Sequence, residues 1–540
     1  MSGLYFETAT AVEPPHPNRN DVACFIGYVA RRKGAALPAS TLAELRAGGW
    51  VDGPWQREAH SVADLEQLPV TIESWTAFDQ LFAWDQRPLS EGQAAVCACY
   101  LGVAVRSFFA TGGRRAVIIR VADPWPYVEA DAQHQAKRIE RLRRLLPGFP
   151  NVSFPLDPKQ PTTPLPLDPY NPSTWQGLQH LYGLAQVSMV CLPDLPDLLS
   201  VSLVPSPAPL EAPAFPEVFV ECSDNEPPLL VDRGLQRLSA PRCDNNGFAL
   251  WALSIRLIRD VLKRYRPDSF LVGTIPFPHA EAGIKVGGGT VHAEVDMLGF
   301  LRSVGGLDQP EDTNGNGPTP STFSQLAYPW LRTRRSSDLP ENIEPPDGLL
   351  AGLLAANALR RGTFRSVAGS LLPDVVETKP PLAWGVGPDS PAQQLAEWVC
   401  LIAPEPDGIA VQSDVTTSSD IAWRSGGARR LMDAVLRAVR TAGDDYVFEP
   451  NGPRLWSRVQ RGMEELLSGF WREGGLGGSS LDEAFSVRCD RSTMSQNDLD
   501  GGRMIVLITV LPVAAVERIT IVLKLEGGGS GVQTDLREVA

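Results

Sequence analysis

Two periods of hydrophobic and polar positions run through the chain, and they change over at its turn residues. Near the C-terminus Phe485, Val487 and Cys489 alternate with Ser486, Arg488 and Asp490, the period of a half-buried strand. Met504 to Leu511 is a nearly unbroken apolar run, which predicts a strand covered on both faces. Ile519, Ile521, Leu523 and Leu525 alternate with Thr520 and Lys524, a further strand, and Gly527 to Gly531 then lead into a polar tail. Upstream, Asp21 to Ala30, Arg114 to Val121, Val187 to Leu192, Ser269 to Pro276 and Gly408 to Asp414 read as strands. Helical spacing marks Gly92 to Ala110, Gln135 to Leu146, Trp175 to Leu184, Asn246 to Tyr265, Ala428 to Arg440 and Pro453 to Trp471. In the last of these Leu455, Val459, Met463, Leu466 and Phe470 form an apolar stripe, with Arg454, Arg458, Arg461 and Glu465 opposite. Strands alternating with helices predict a mostly parallel sheet in an α/β architecture.

Proline and glycine interrupt this pattern. Ser2 to Val12, which contains Leu4, Tyr5 and Phe6, has strand-like residues and is cut off by Pro14-Pro15-His16-Pro17. Such a segment is either a frayed terminus or an arm adding a strand to a neighbour's sheet, because an isolated strand leaves its N–H and C=O groups unpaired. Pro155 to Pro172, Ser200 to Pro228 and Leu307 to Thr322 read as surface loops.

Composition narrows the function. At 540 residues the chain has room for two to four domains. Its net charge of -14 argues against broad nucleic-acid binding. No apolar run approaches the roughly 18 residues of a membrane span, and the N-terminus lacks a signal-peptide pattern. The eight scattered cysteines read as reduced thiols, not a disulfide framework. No catalytic constellation is complete. None of the six histidines (His16, His60, His134, His180, His279 and His292) stands in a subtilisin-like His-Gly-Thr setting, and no serine-nucleophile elbow is present. Gly287-Gly288-Gly289-Thr290 lacks the lysine and spacing of a phosphate loop, and His292-Ala293-Glu294 lacks the cysteine pair of a zinc deaminase, so both are expected to be loop. The expectation is therefore a chain with no catalytic residue, metal or cofactor.

The stretch V-R-C-D-R-S-T-M-S-Q-N-D-L-D-G-G-R at Val487, together with F-E-P-N-G-P-R-L-W-S-R-V at Phe448, resembles the closing region of contractile tail sheath proteins. A second block, from Ala327 to Leu371, is similar to the same family, although Phe364 stands where members often have tryptophan. The resemblance implies an α/β, multidomain fold. A sheath-type inner domain is built from both chain ends, a subtilisin-like α/β middle domain is inserted, and the terminal β-arms are exchanged between subunits. The implied boundaries are an N-terminal arm at 1–17, the N-terminal part of the core at 18–122 and a middle domain at 123–407, then the C-terminal sheath domain at 408–515 and a C-terminal arm at 516–540. Arg488, Asp490, Arg491, Asn497 and Asp498 belong to the family motif. Leu4, Tyr5, Phe6, Ile519, Ile521 and Leu523 would be inter-subunit arms, Val506, Ile508 and Val510 the sheet accepting them, and Arg454, Arg458 and Arg461 the contact to an inner tube. The implied partners are further copies in six-subunit rings, the tube protein, a baseplate and a tail terminator or cap, with no nucleic acid and no membrane insertion. Assembly would take place in the bacterial cytoplasm. A terminator-like paralogue and an enzyme with a protease-like core are the alternatives.

Overall fold

A computed structural model describes residues 20–92, 94–129, 131–152, 168–201, 235, 238–286, 289–308, 320–382, 390–444, 446, 449–513, 519–526 and 533–537. Leu4, Tyr5 and Phe6 and most of the expected loops at Pro155 to Pro172, Ser200 to Pro228 and Leu307 to Thr322 lie outside the described residues.

Eight strands build one sheet: β1 (Val22–Tyr28), β2 (Pro69–Ile72), β3 (Arg115–Ala122), β4 (Met189–Cys191), β5 (Phe270–Thr274), β6 (Ser324–Tyr328), β7 (Cys400–Glu405) and β8 (Gly408–Val411). Their order is β8-β7-β6-β5-β4-β1-β3-β2. The six central strands are parallel, and β8 and β2 close the two edges antiparallel. Side chains of β1 divide between two cores, with Cys24, Ile26 and Tyr28 on one face and Ala23 and Phe25 on the other. Helix α1 (Tyr100–Thr111) covers the second face, α2 (Asn245–Tyr265) the first, and α3 (Asp347–Arg360) lies beside α1. Burial on both faces is the reason these strands read as apolar runs. Helices α1 and α3 approach through glycine: a Cβ on Gly348 or Gly352 would lie 2.3 or 2.4 Å from the carbonyl oxygens of Ala104 or Phe108.

A third core lies beyond the sheet. Helix α4 (Gly426–Asp444) and α5 (Pro453–Arg472) pack on a four-stranded antiparallel sheet of β9 (Phe485–Arg488), β10 (Arg503–Val510), β11 (Ile519–Glu526) and β12 (Gln533–Arg537), in chain order.

Several expectations change. The implied boundary at 122 runs through a sheet in which β1 and β3 are hydrogen-bonded neighbours of the middle strands, and β8 belongs to that sheet's edge. Helix α1 starts at Tyr100, not near Gly92, because Cys99 caps it through Sγ and Val96–Cys97 form a short strand with Arg87–Pro88. Trp175 to Leu184 is a 3-10 turn at Gly177–Gly183, not an α-helix. Gly283–Val286 and Gly289–His292 pair as a hairpin where a loop was expected, with Ile284 and Val291 half-buried against the first core. Strand β10 is covered on one face only: Met504, Val506, Ile508 and Val510 are buried, while Ile505, Leu507 and Thr509 are half-buried. Its outward face is apolar without being internal, so the apolar run overstated its burial.

Candidate assembly surface

Helix α4 fastens the C-terminal unit to the large sheet through charge buried along one face. Arg430 and Asp414 form a bidentate pair, Nη1 to Oδ1 at 2.8 Å and Nη2 to Oδ2 at 2.7 Å, and both are sealed from solvent. Burial works to raise the Asp414 pKa, and the Arg430 guanidinium overrides it, holding the carboxyl below its ordinary value. Gln325 of β6 donates to the same carboxylate at 2.9 Å, and the Arg430 Nε donates to the Thr363 carbonyl at 3.1 Å. Two turns on, Arg437 donates to Asn20 Oδ1 at 2.9 Å and stands 3.4 Å from the Asp268 carboxylate. Asp268 is buried, yet Arg266 and then Arg437 hold it well below the usual carboxylate range. Such a clamp joins β1's entry, the start of β5 and α4 into one body.

Helix α5 presents the opposite situation. Pro453 occupies its first turn, where a missing N–H costs nothing. Leu455, Val459, Met463, Leu467 and Phe470 face the core. Leu466 is only half-buried, so the stripe passes through Leu467 where Leu466 was expected. Arg454, Arg458 and Arg461, spaced at i, i+4 and i+7, are all exposed on one face. Arg458 pairs with Glu449 at 3.0 Å, and the Arg461 Nε donates to the Ser457 carbonyl at 3.1 Å. These side chains contribute little to the fold, since an exposed pair is worth about 0–1 kcal/mol.

Within the motif, several residues shape the backbone between β9 and β10. Asp490 Oδ1 accepts from the Ser492 hydroxyl at 2.5 Å and from its amide at 2.7 Å, and these bonds lower the exposed carboxyl's pKa. Ser495 and Asp498 cap the short helix Gln496–Asp500 reciprocally, and Asp498 pairs with Arg503 at 3.0 Å. Arg491 Nη2 donates to Gln496 Oε1 at 2.5 Å, while Arg488 and Asn497 are exposed. Val506, Ile508 and Val510 point into the third core, so a partner strand reaches β10 through its backbone edge and not through these side chains. Strand β11 already occupies that edge: all eight residues from Ile519 to Glu526 pair with β10, Val510 opposite Ile519 and Arg503 opposite Glu526. The expectation that Ile519, Ile521 and Leu523 stand apart from their own domain is therefore corrected for the single chain. Eight residues of matching alternation find the nearest free edge, and that edge is their own.

Open parallel sheets bind ligands at the carboxyl ends of strands where the order reverses. Here that point lies between β1 and β4, and the protein's own Asp194 fills it. Its Oδ2 accepts from the Tyr28 amide at 2.6 Å and its Oδ1 from the Leu101 amide at 3.0 Å. A Cβ on Gly27 would come within 2.2 Å of Oδ2, so glycine is required there. Burial pushes the Asp194 carboxyl up to about 7, against the two amides that stabilise its charge. Of the histidines, His180 is sealed between Trp50 and Trp175, and burial lowers its pKa to about 3. Among the described residues, no group of three or more His, Cys, Asp and Glu side chains is placed to hold a metal, and no helix is long and apolar enough to cross a membrane.

Residues 418–526, which span α4, α5 and strands β9 to β11, match the family model of the phage tail sheath C-terminal domain. No curated protein sequence matches the chain. Among solved structures, a chain of the anti-feeding prophage baseplate in its contracted state matches at 16% identity over 95% of both chains, with a TM-score of 0.55. The six-fold symmetrised baseplate of the same particle contains a chain matching at 17% identity over 96% of both, with a TM-score of 0.52. The anti-feeding prophage helical sheath in its contracted state also matches, at 17% identity over 95% of this chain and 96% of that one, with a TM-score of 0.49. At these identities the two baseplate matches establish the α/β fold over the length of the chain. Residues 418–526 thus match the phage tail sheath C-terminal domain, and the chain's resemblance to contractile tail sheath proteins, read from the sequence, is supported by that match and by the shared fold.

Proposed function

We propose that this chain is the structural subunit of a contractile tail sheath. Copies stack as six-subunit rings around an inner tube, and collapse of the rings drives the tube through a target envelope. The observation that carries this is the sheath C-terminal domain at 418–526, set in a chain whose whole length shares the fold of contractile-particle proteins. In this reading work comes from two alternative packings of subunits fixed at assembly, and the effect of a trigger is to release the metastable one. The buried α4 clamp supports rigid bodies that move past each other. Arg454, Arg458 and Arg461 are the contact to the tube: weak singly, repeated six times per ring, and able to release. Leu4, Tyr5 and Phe6 at one end, and Ile519, Ile521 and Leu523 at the other, link neighbours by strand addition along β10. The C-terminal domain faces the tube and the loop-rich middle faces outward. Baseplate and terminator proteins cap the ends, and assembly proceeds in the bacterial cytoplasm.

A second reading is a sheath-like subunit confined to one end of a tail, such as a terminator or cap. It is favoured by one fact, that two fold matches with TM-scores above 0.5 come from baseplate reconstructions. Negative-stain electron microscopy of the purified protein separates the readings. Long tubes support the sheath, single rings support the terminal subunit, and a monodisperse monomer with peptidase activity would mean an enzyme instead.

A further inference from the structure

Strand β10 is eight residues long and its outward face is apolar, so its bare edge would be a general template for pairing. The chain covers that edge itself. Strand β11 pairs with it over eight consecutive residues without a register shift, and β12 then pairs with β11 from Thr520 to Lys524. A short polar strand, Q-T-D-L-R, therefore forms the sheet's outer limit on that side.

From this we infer that the free subunit is self-capped: its own C-terminal strand holds the place that the same strand of a second copy takes during assembly. The inference rests on the sheath reading, and it adds a reason why subunits do not polymerise indiscriminately before a nucleus exists. Intrachain and interchain pairing present the same strand to the same edge, so they differ chiefly in effective concentration. A short connection holds β11 near β10 at an effective concentration in the millimolar range, so at micromolar subunit the internal strand is favoured about a thousandfold over one arriving from solution. In a growing lattice the neighbour's strand is held equally close, and that advantage disappears. Growth then needs an existing ring, and spontaneous initiation is slow.

Leu507 and Val522 stand opposite each other in the β10–β11 register, and Leu507 is half-exposed. All seven described native cysteines are buried, which favours an introduced pair as the reacting thiols. The test is the full-length variant Leu507→Cys/Val522→Cys, oxidised with copper phenanthroline or bridged with a short bismaleimide. Dilute free subunits should give an intrachain link, located by peptide mapping. Disulfide-locked subunits should join tubes at least about tenfold more slowly than the same protein after reduction, and linking after assembly should give an interchain ladder. The single-cysteine variants and a melting curve of the reduced double variant establish that the fold is intact. No intrachain link in free subunits by either reagent, equal assembly of locked and reduced protein, or only intrachain links in finished tubes would each overturn the inference. Reduced and wild-type protein that never polymerise would instead overturn the sheath reading, and self-capping for assembly would fall with it.

Discussion

Asp347 opens α3 with its carboxylate sealed inside the protein, where Oδ1 accepts from the Gly348 amide and Oδ2 meets no partner. Burial raises its pKa from 3.8 to about 7. The sign of the consequence is fixed by linkage. Between about pH 4 and 7 the unfolded chain has released this proton and the folded chain keeps it, so this group's contribution to stability falls as pH rises through that window. Asp347→Asn keeps the shape and removes the titration. Denaturant midpoints should therefore move in the variant's favour between pH 4 and 7, and parallel wild-type and variant curves would contradict the assignment. Asp414 is the opposite kind of carboxylate, fully paired with Arg430. Truncation in Asp414→Ala strands a buried guanidinium, and should cost about 3–5 kcal/mol, read from chemical denaturation. A loss below 1 kcal/mol would mean that the clamp carries no weight.

At the scale of elements, α5 gives the sharpest contrast. Leu467→Ala should destabilise by about 2–5 kcal/mol, the range for a leucine deleted from a core, whereas Leu466→Ala next to it should cost clearly less. Equal losses would show that the stripe is wrongly placed. That comparison marks where the sequence was legible. A spacing of three or four fits both leucines, and only the packing against α4 selects Leu467. Strands β1 and β3 to β5 were readable because burial on both faces makes them largely apolar. Strand β10 has the same composition although only one of its faces is buried. The short strand β12 follows a glycine run and has no apolar period, so it read as tail. Within the candidate surface, the exposed arginine row of α5 followed from helical spacing. The clamp residues Asp268, Asp414 and Arg430 did not, because pairs distant in sequence leave no periodic trace. A basic residue on the apolar side of a helix, as Arg430 is on α4, was the one available signal. Asp194 was equally silent, since its role depends on where the strand order reverses.

For the whole molecule, the proposed sheath would divide the work between the buried clamp, which holds one subunit rigid, and the exposed α5 face, which would touch other proteins. Arg454→Glu, Arg458→Glu and Arg461→Glu together should leave folding unchanged, because all three are exposed and their pairs are weak. Co-expressed with the tube protein, this variant should give sheaths without tubes, and filled particles at normal yield would remove the tube contact from α5. The most direct test of the central claim is a cryo-electron microscopy reconstruction of the assembled protein, traced from residue 1 to residue 540. The predicted result is a tube of stacked six-subunit rings in which α5 lines the lumen, and both the N-terminal segment and the 519–526 strand lie in the sheets of neighbouring subunits. A protein that forms no rings or tubes at any concentration, or a tube with α5 on its outer surface, would contradict it.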